Sequence, residues 1–248
     1  MAMIIFEKSG EFNPADYGLG VGDVLNVICV GGGQGGGVAN DSYDAHATPQ
    51  DGGESSFGDY VSSASGTCMG KGGRSVENDG RYRPGAGAGG YLPGLPVFGG
   101  HGADSETDGT RPVLGLAGCF VPEQATVSPY CNPRGPGNKG GRVFSRNHTG
   151  EETEKDEYYQ AACGNGYGAG SPGWNGSEYY SRCDYPLAGG NAGKMSIGSC
   201  ILKTLDVIPV AVGEGGDTVA TYLVYSGGSQ VERQVHSRGV DGVVIVTW

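Results

Sequence analysis

The sequence predicts an all-β or irregular fold: a glycine-rich sandwich of polyglycine-II helices bundled side by side, closed at both ends by short β-strands, with at most one short helix. Three observations predict it. Glycine takes 51 of the 248 positions and gathers in bursts such as Gly31-Gly32-Gly33-Gln34-Gly35-Gly36-Gly37 and Gly85-Ala86-Gly87-Ala88-Gly89-Gly90. The hydrophobic fraction of 37%, with 14 Tyr and two Trp, is more than a disordered chain carries. Strand-like runs stand near both ends, at Val24 to Val30 and Val243 to Val246.

The bursts need a physical reason, because glycine gives up the most backbone entropy on folding and brings no side chain to a core. Close approach of backbones is that reason. Collagen is excluded, since no sustained Gly-X-Y period runs through the chain. An extended helix of the polyproline-II type has no internal hydrogen bonds, and at about 3.1 Å per residue a seven-residue burst spans roughly 22 Å. Packed together, such helices satisfy one another's amides, provided glycine lets them touch.

In chain order, Met3 to Glu7 is apolar, Phe12-Asn13-Pro14 breaks it, and Gly22-Asp23 leads into Val24 to Val30, whose partial alternation implies cover on both faces. The glycine texture then recurs at 52–73, 85–102, 135–141, 164–176 and 189–193, between stretches richer in Pro, Tyr, Cys and charge; the bursts read as scaffold and the rest as loops. Thr149-Gly150-Glu151-Glu152 fits a capping box ahead of a short helix over Thr153 to Cys163. Ile197 to Leu202, Val207 to Val212, Val219 to Tyr225 and Val240 to Trp248 read as strands. No linker separates the ends from the middle, so residues 1–248 are expected to form one domain: opening strands over 1–30, glycine bursts with variable loops over 31–195, closing strands over 196–248.

Charge and cysteine content narrow the partners. A net charge of -11, with 16 Lys and Arg scattered rather than gathered in a stripe, argues against a nucleic-acid partner. No run approaches the roughly 20 apolar residues of a membrane span, so the expectation is no membrane insertion, synthesis in the cytoplasm, and any export by another route such as lysis. Seven cysteines, Cys29, Cys68, Cys119, Cys131, Cys163, Cys183 and Cys200, are odd in number and have no C-x-x-C pair, so they are expected to be reduced and structural.

Catalytic and cofactor motifs fail on context. Gly31-x-Gly33-x-x-Gly36 follows a strand as the dinucleotide fingerprint requires, yet residues 38–53 show no helix to meet a pyrophosphate. Gly168-x-Gly170-x-x-Gly173 repeats the pattern at a chance level, and Ala188 to Met195 imitates a P-loop with Met195 where a magnesium ligand belongs. Gly66-Thr67-Cys68-Met69-Gly70 outlines a nucleophile elbow, with His46, His101, His148 and His236 as candidate bases, but no strand-turn-helix surrounds Cys68. A cell-wall hydrolase would need two facing carboxylates or Cys68 beside a histidine, and the sequence shows no such constellation. No paired metal-ligand spacing exists, so no metal, no cofactor and no enzymatic activity are expected, although Asp- and Asn-rich loops leave calcium open.

Tyr158, Tyr159, Tyr167, Trp174, Tyr179, Tyr180 and Tyr185 lie among Gly, Ser and Asn, where Tyr and Trp supply rigid amphipathic contacts at low entropic cost. Tyr158, Tyr159, Trp174, Tyr179 and Tyr180 are the candidate binding residues, with Trp174 and Tyr179-Tyr180 as leading anchors. The alternative is that these aromatics cap exposed ends of the scaffold. The candidate scaffold glycines are Gly31, Gly32, Gly33, Gly35, Gly36 and Gly37.

In texture, and more sharply at four places, the chain resembles the glycine-rich modules of phage tail fibres and the related polyglycine-sandwich adhesins of long tail-fibre tips. Phe6-Glu7-Lys8-Ser9-Gly10-Glu11-Phe12-Asn13-Pro14 with Val24 to Val30 and the first burst is similar to the family's opening strands. Ser56-Phe57-Gly58 followed by Gly70 to Gly73 is similar to its second repeat, and Gly239 to Trp248 to its final strand. Ile208-Pro209-Val210-Ala211-Val212-Gly213-Glu214-Gly215-Gly216 resembles its PVTVGAGG segment, with Ala211 for Thr and Glu214 for Ala. The Cys-, Tyr- and Pro-rich stretch from Val113 to Pro186 departs from the pattern. The resemblance implies a non-enzymatic receptor-binding component of a phage or phage-like tail, located in the virion, whose partners are a bacterial surface protein or glycan and other tail or virion proteins; it leaves homo-oligomerisation open. The alternative is a structural tail-tip, collar or capsid-decoration subunit that uses the scaffold for stiffness and assembly.

Overall fold

The computed structural model describes residues 2–40, 43–78, 81–83, 85, 87–91, 93, 102, 166–175 and 185–248. Among them, strands and irregular extended segments dominate, and short 3-10 turns stand at Pro14–Tyr17 and Ser63–Ser65. The helix expected over Thr153 to Cys163 lies outside the described residues. The all-β and irregular expectation therefore holds for the described chain.

Two sheets enclose the larger core. Five strands lie in the order Met3–Phe6, Val243–Thr247, Val24–Val30, Lys194–Ile201, Thr67–Cys68, each antiparallel to the next. Four more lie in the order Gly10–Phe12, Ile208–Ala211, Ser56–Phe57, Val61–Ser62, also antiparallel. Alternation in Val24–Val30 turns Leu25, Val27 and Cys29 inward, where they join Phe12, Phe57, Ile208, Val210, Val244 and Val246 in one buried cluster. Its opposite face carries Ile28 and Val30, which pack with Val243, Ile245 and Tyr91, so the strand is covered on both sides as its partial alternation implies. Chain reversal before this strand is set locally: Asn13 caps the turn by accepting the Ala15 N–H, Pro14 starts it, and Gly18 at φ 69° ends it. Tyr17 stacks on Phe12 at 5.0 Å and Trp248 meets both rings edge-on, closing the core from the chain's end.

Beyond Val30 the chain leaves the sheet as the first glycine burst, buried except at the half-buried Gln34. Its successive N–H groups address different neighbours in rotation. Gly31, Gln34 and Gly37 donate to the carbonyls of Lys194, Asn191 and Ala188, whereas Gly32 and Gly35 donate to Gly53 and Gln50. Gly33 donates to Val240, and Gly36 to the Ser237 hydroxyl. Each neighbour is met every third residue, and the acceptor numbers fall by three, so all three neighbours run antiparallel to the burst. The same period links Gly189 and Ala192 to Gly73 and Gly70, Gly190 and Gly193 to Ser171 and Gly168, Gly170 and Gly173 to Ala88 and Gly85, and Gly239 and Gly242 to Gly216 and Gly213. Where a carbonyl is missing a hydroxyl substitutes: Ser55 Oγ donates to Val30 O and accepts from Gly213 N–H, and Thr218 Oγ1 accepts from Gln50 N–H.

Glycine is required here by contact, not by turn geometry. A Cβ added to Gly32, Gly33 or Gly36 would fall within 3.0 Å of the carbonyl oxygen of Glu214, Ala169 or Pro172 respectively, and the same holds for Gly170 against Gly190 and Gly215 against Gly239. The adjacent segments are backbone against backbone, and the scaffold glycines Gly31, Gly32, Gly33, Gly35, Gly36 and Gly37 sit at the centre of them.

The burst runs from the five-stranded sheet to a second, smaller β layer. There Val38–Asn40 lies between Trp174–Asn175, parallel to it, and Ala45–Ala47, antiparallel. A hairpin of ten-residue strands, Asp217–Ser226 and Ser229–Arg238, packs its base on this layer through Ala220 and Val235 against Val38 and Ala45. Gly227 and Gly228, at φ 61° and 86°, form the two-residue turn with positive φ at both positions. The expected strand over Val219 to Tyr225 thus extends further and has a polar partner.

Candidate binding surface

The candidate binding residues divide. Trp174 is the first residue of the short strand beside Val38, at the end of the glycine scaffold away from the main core, whereas Tyr158, Tyr159, Tyr179 and Tyr180 lie outside the described residues. Tyr167 and Tyr185 of the same aromatic set have distinct fates. Tyr167 packs against the Val30 cluster, exchanges two backbone hydrogen bonds with Tyr91 and donates its hydroxyl to Glu7. Burial, reinforced by Glu7, pushes its phenol up to about 12. Its contacts are with the sheet core and the Tyr91 backbone.

Tyr185 belongs to a surface that the sequence does not reveal. Its ring stacks on His46 at 3.9 Å and its hydroxyl donates to Asp44, a residue held at φ 51°. Tyr43, next along, stacks on Tyr222 of the hairpin at 4.8 Å and is 46% exposed. The two stacked pairs are joined through Tyr43 and Asp44 on one chain segment, and they flank the small β layer of Val38–Asn40 and Ala45–Ala47. Rings this close gain from offset stacking and present flat apolar faces with polar edges, the chemistry that receives sugar rings or a partner's aliphatic side chains. Three chain segments far apart in sequence build it, and no sequence period relates Tyr43, His46, Tyr185 and Tyr222.

The motifs set aside from sequence take structural roles. After Gly36 the chain continues as the strand Val38–Asn40, not a helix, and protein carbonyls occupy the space over Gly33 and Gly36 that a pyrophosphate would need. Cys68 sits on the edge strand Thr67–Cys68, paired with Lys194, and its thiol donates to the carbonyls of Gly70 and Ala192. Of His46 and His236, the first stacks on Tyr185 and the second is held by Asp217 at 3.3 Å and Gln234 at 3.1 Å; His101 and His148 lie outside the described residues. Cys29, Cys68 and Cys200 are free thiols, and Cys119, Cys131, Cys163 and Cys183 lie outside the described residues. Burial pushes the Cys29 thiol up to about 12 and raises that of Cys200. Among the described residues no three His, Cys, Asp or Glu side chains gather as metal ligands, and no helix is long and apolar enough to cross a membrane.

Compared with protein-family models, with curated proteins and with solved structures, the chain matches none.

Proposed function

We propose that the chain is a non-enzymatic, receptor-binding component of a phage or phage-like tail fibre, in which a bundle of polyglycine-II helices holds an aromatic, loop-bearing end toward a bacterial surface protein or glycan. The observation that carries the scaffold half of this reading is the rotation of hydrogen bonds along residues 31–37, with every third N–H returning to the same neighbour. Three residues per turn with no internal hydrogen bond is the geometry of that helix type. A stiff core of this kind needs few side chains and leaves its ends free to vary. The surface of Tyr43, His46, Tyr185 and Tyr222, at the same β layer as the strand that begins with Trp174, supports the binding half.

The test is attachment. Replacing Trp174, Tyr179 and Tyr180 together with Ala is expected to leave folding and particle assembly intact and to weaken attachment of the particle to host cells. Full attachment by the triple variant overturns the binding role. A structural subunit of the virion is the second reading, and the distal hairpin favours it. Leu223 and Tyr225 are 51% and 79% exposed on a two-stranded arm, and a lone hairpin is marginal in water unless something packs on it. Labelling the chain in assembled particles separates the two readings: a distal tip fits receptor binding, an internal ring fits assembly.

A further inference from the structure

Around residues 31–37 the neighbouring segments form an incomplete ring. Residues 188–194 bond to 168–171, these to 240–241, residues 239–242 to 213–216, and residue 214 to 53. That makes five neighbours in sequence around the burst. Parallel rods pack six around one, and the ring is open between residues 50–54 and 191–194, where among the described residues no backbone hydrogen bond joins the two walls. A groove of about 400 Å³ lies there, floored by Gly31 and Gly32 and walled by Asp51 to Glu54 on one side and Asn191 to Lys194 on the other, with Ser63, Ala64 and Cys68 completing its lining beside Gly31.

The floor explains the one non-glycine of the burst. Gln34 extends into this gap, accepts the Asn191 N–H at 3.0 Å and donates to Asp51 Oδ1 at 2.8 Å, so a side-chain amide bridges the walls as a sixth backbone would. The carbonyls of the burst rotate as its N–H groups do. Gly33 O accepts from Gly216 and Gln34 O from Ser171, while Gly32 O receives no hydrogen bond from the described residues and faces the glycines of both walls, Gly52 and Gly193.

We propose that this groove is a docking site for an extended Gly-Gly-X segment of a partner chain, lying as the sixth helix of the bundle; the proposal rests on the polyglycine-II reading. With three residues per turn, a helix seated against the floor and both walls turns two side-chain directions inward and one outward, so two of every three positions must be glycine. The burst obeys the same rule, with Gln34 at its open side. Asp51 and Glu54 make one wall acidic, while the Lys194 ammonium on the other is turned to Ala64 O at 3.3 Å, so Lys suits the outward position X.

The experiment titrates a (Gly-Gly-Lys)4 peptide into the isotopically labelled full-length protein, following the Asn191 backbone amide and the Gln34 side-chain amide by NMR. Saturable shifts at both are expected, with a (Gly-Ala-Lys)4 peptide binding about tenfold more weakly. Gln34→Gly, which clears the gap, should tighten binding about threefold, and Ala64→Trp, which fills the groove from its exposed rim, should weaken it about tenfold. Asp51→Lys provides a second loss variant should Ala64→Trp not fold. Equal affinity for both peptides, or no shift at millimolar peptide in either the parent or Gln34→Gly, overturns the proposal. If Gly32→Ala melts far below the parent while no peptide binds, the bundle stands and the docking site alone is wrong.

Discussion

A single methyl group placed on Gly32 tests the backbone-to-backbone packing directly. The added Cβ would lie within 3.0 Å of the Glu214 carbonyl, which itself accepts the Gly53 N–H at 2.7 Å. Relief requires the two segments to part. That strains a packed interior by about 1–3 kcal/mol and weakens the Gly32 to Gly53 and Gly53 to Glu214 hydrogen bonds, worth about 1 kcal/mol each. A loss of roughly 3–5 kcal/mol is a large share of the roughly 5–15 kcal/mol that holds a domain together. At about 2–4 °C per kcal/mol, Gly32→Ala should melt some 6–20 °C below the parent by calorimetry or circular dichroism. Gly20→Ala is the comparison: its Cβ meets only Asp23 Oδ2 at 3.9 Å, so its effect should stay within about 1 kcal/mol. The larger Gly32→Val and Gly36→Val should yield no soluble folded protein. If Gly32→Ala and Gly20→Ala melt together, the close approach is not what the glycines are for.

Cys29 supplies a pH test. An unfolded thiol ionises near 9.0 while the folded one holds its proton to about 12, so between these values the unfolded chain loses protons first and stability falls as pH rises, by at most about 1.4 kcal/mol per unit. The Tyr167 phenol, also pushed to about 12, adds to the same alkaline loss; Cys29→Ala should show a flatter fall in melting temperature above pH 9, and an unchanged slope refutes its role. In peptide mapping after iodoacetamide at mildly alkaline pH, the exposed Cys68 should be alkylated well before the buried Cys29 and Cys200, and equal rates would show that the core opens. At the hairpin turn Gly227→Asn should be tolerated, whereas Gly227→Val, forced to φ 61°, should cost about 1–2 kcal/mol and speed hydrogen exchange between Val224 and Val231 without lowering protection in the main core.

Composition alone determined that the chain must bring backbones together, because 51 glycines cannot be explained by a side-chain core. Local pattern determined the strands whose residues alternate or run apolar: Val24–Val30 is found at the ends read from sequence, and Ile208–Ala211 and Val243–Thr247 fall inside the stretches read as strands. The lead-in Gly239 to Gly242 joins the glycine network instead of the final strand, since its hydrogen bonds go to residues 213, 216 and 169. Ser229–Arg238 gave no local signal because six of its ten residues are exposed and polar ones outnumber apolar; it is a strand by virtue of its pairing with Asp217–Ser226. Short strands such as Val38–Asn40 and Ala45–Ala47 carry too few residues for a period to show. The aromatic surface lay further out of reach. Tyr43, His46, Tyr185 and Tyr222 meet only because the burst carries the chain to its far layer and the hairpin folds onto it. A glycine has no side chain with which to declare its neighbour, so the sequence shows that segments must touch, while the tertiary structure alone decides which ones, in which order around the burst, and where the ring stays open.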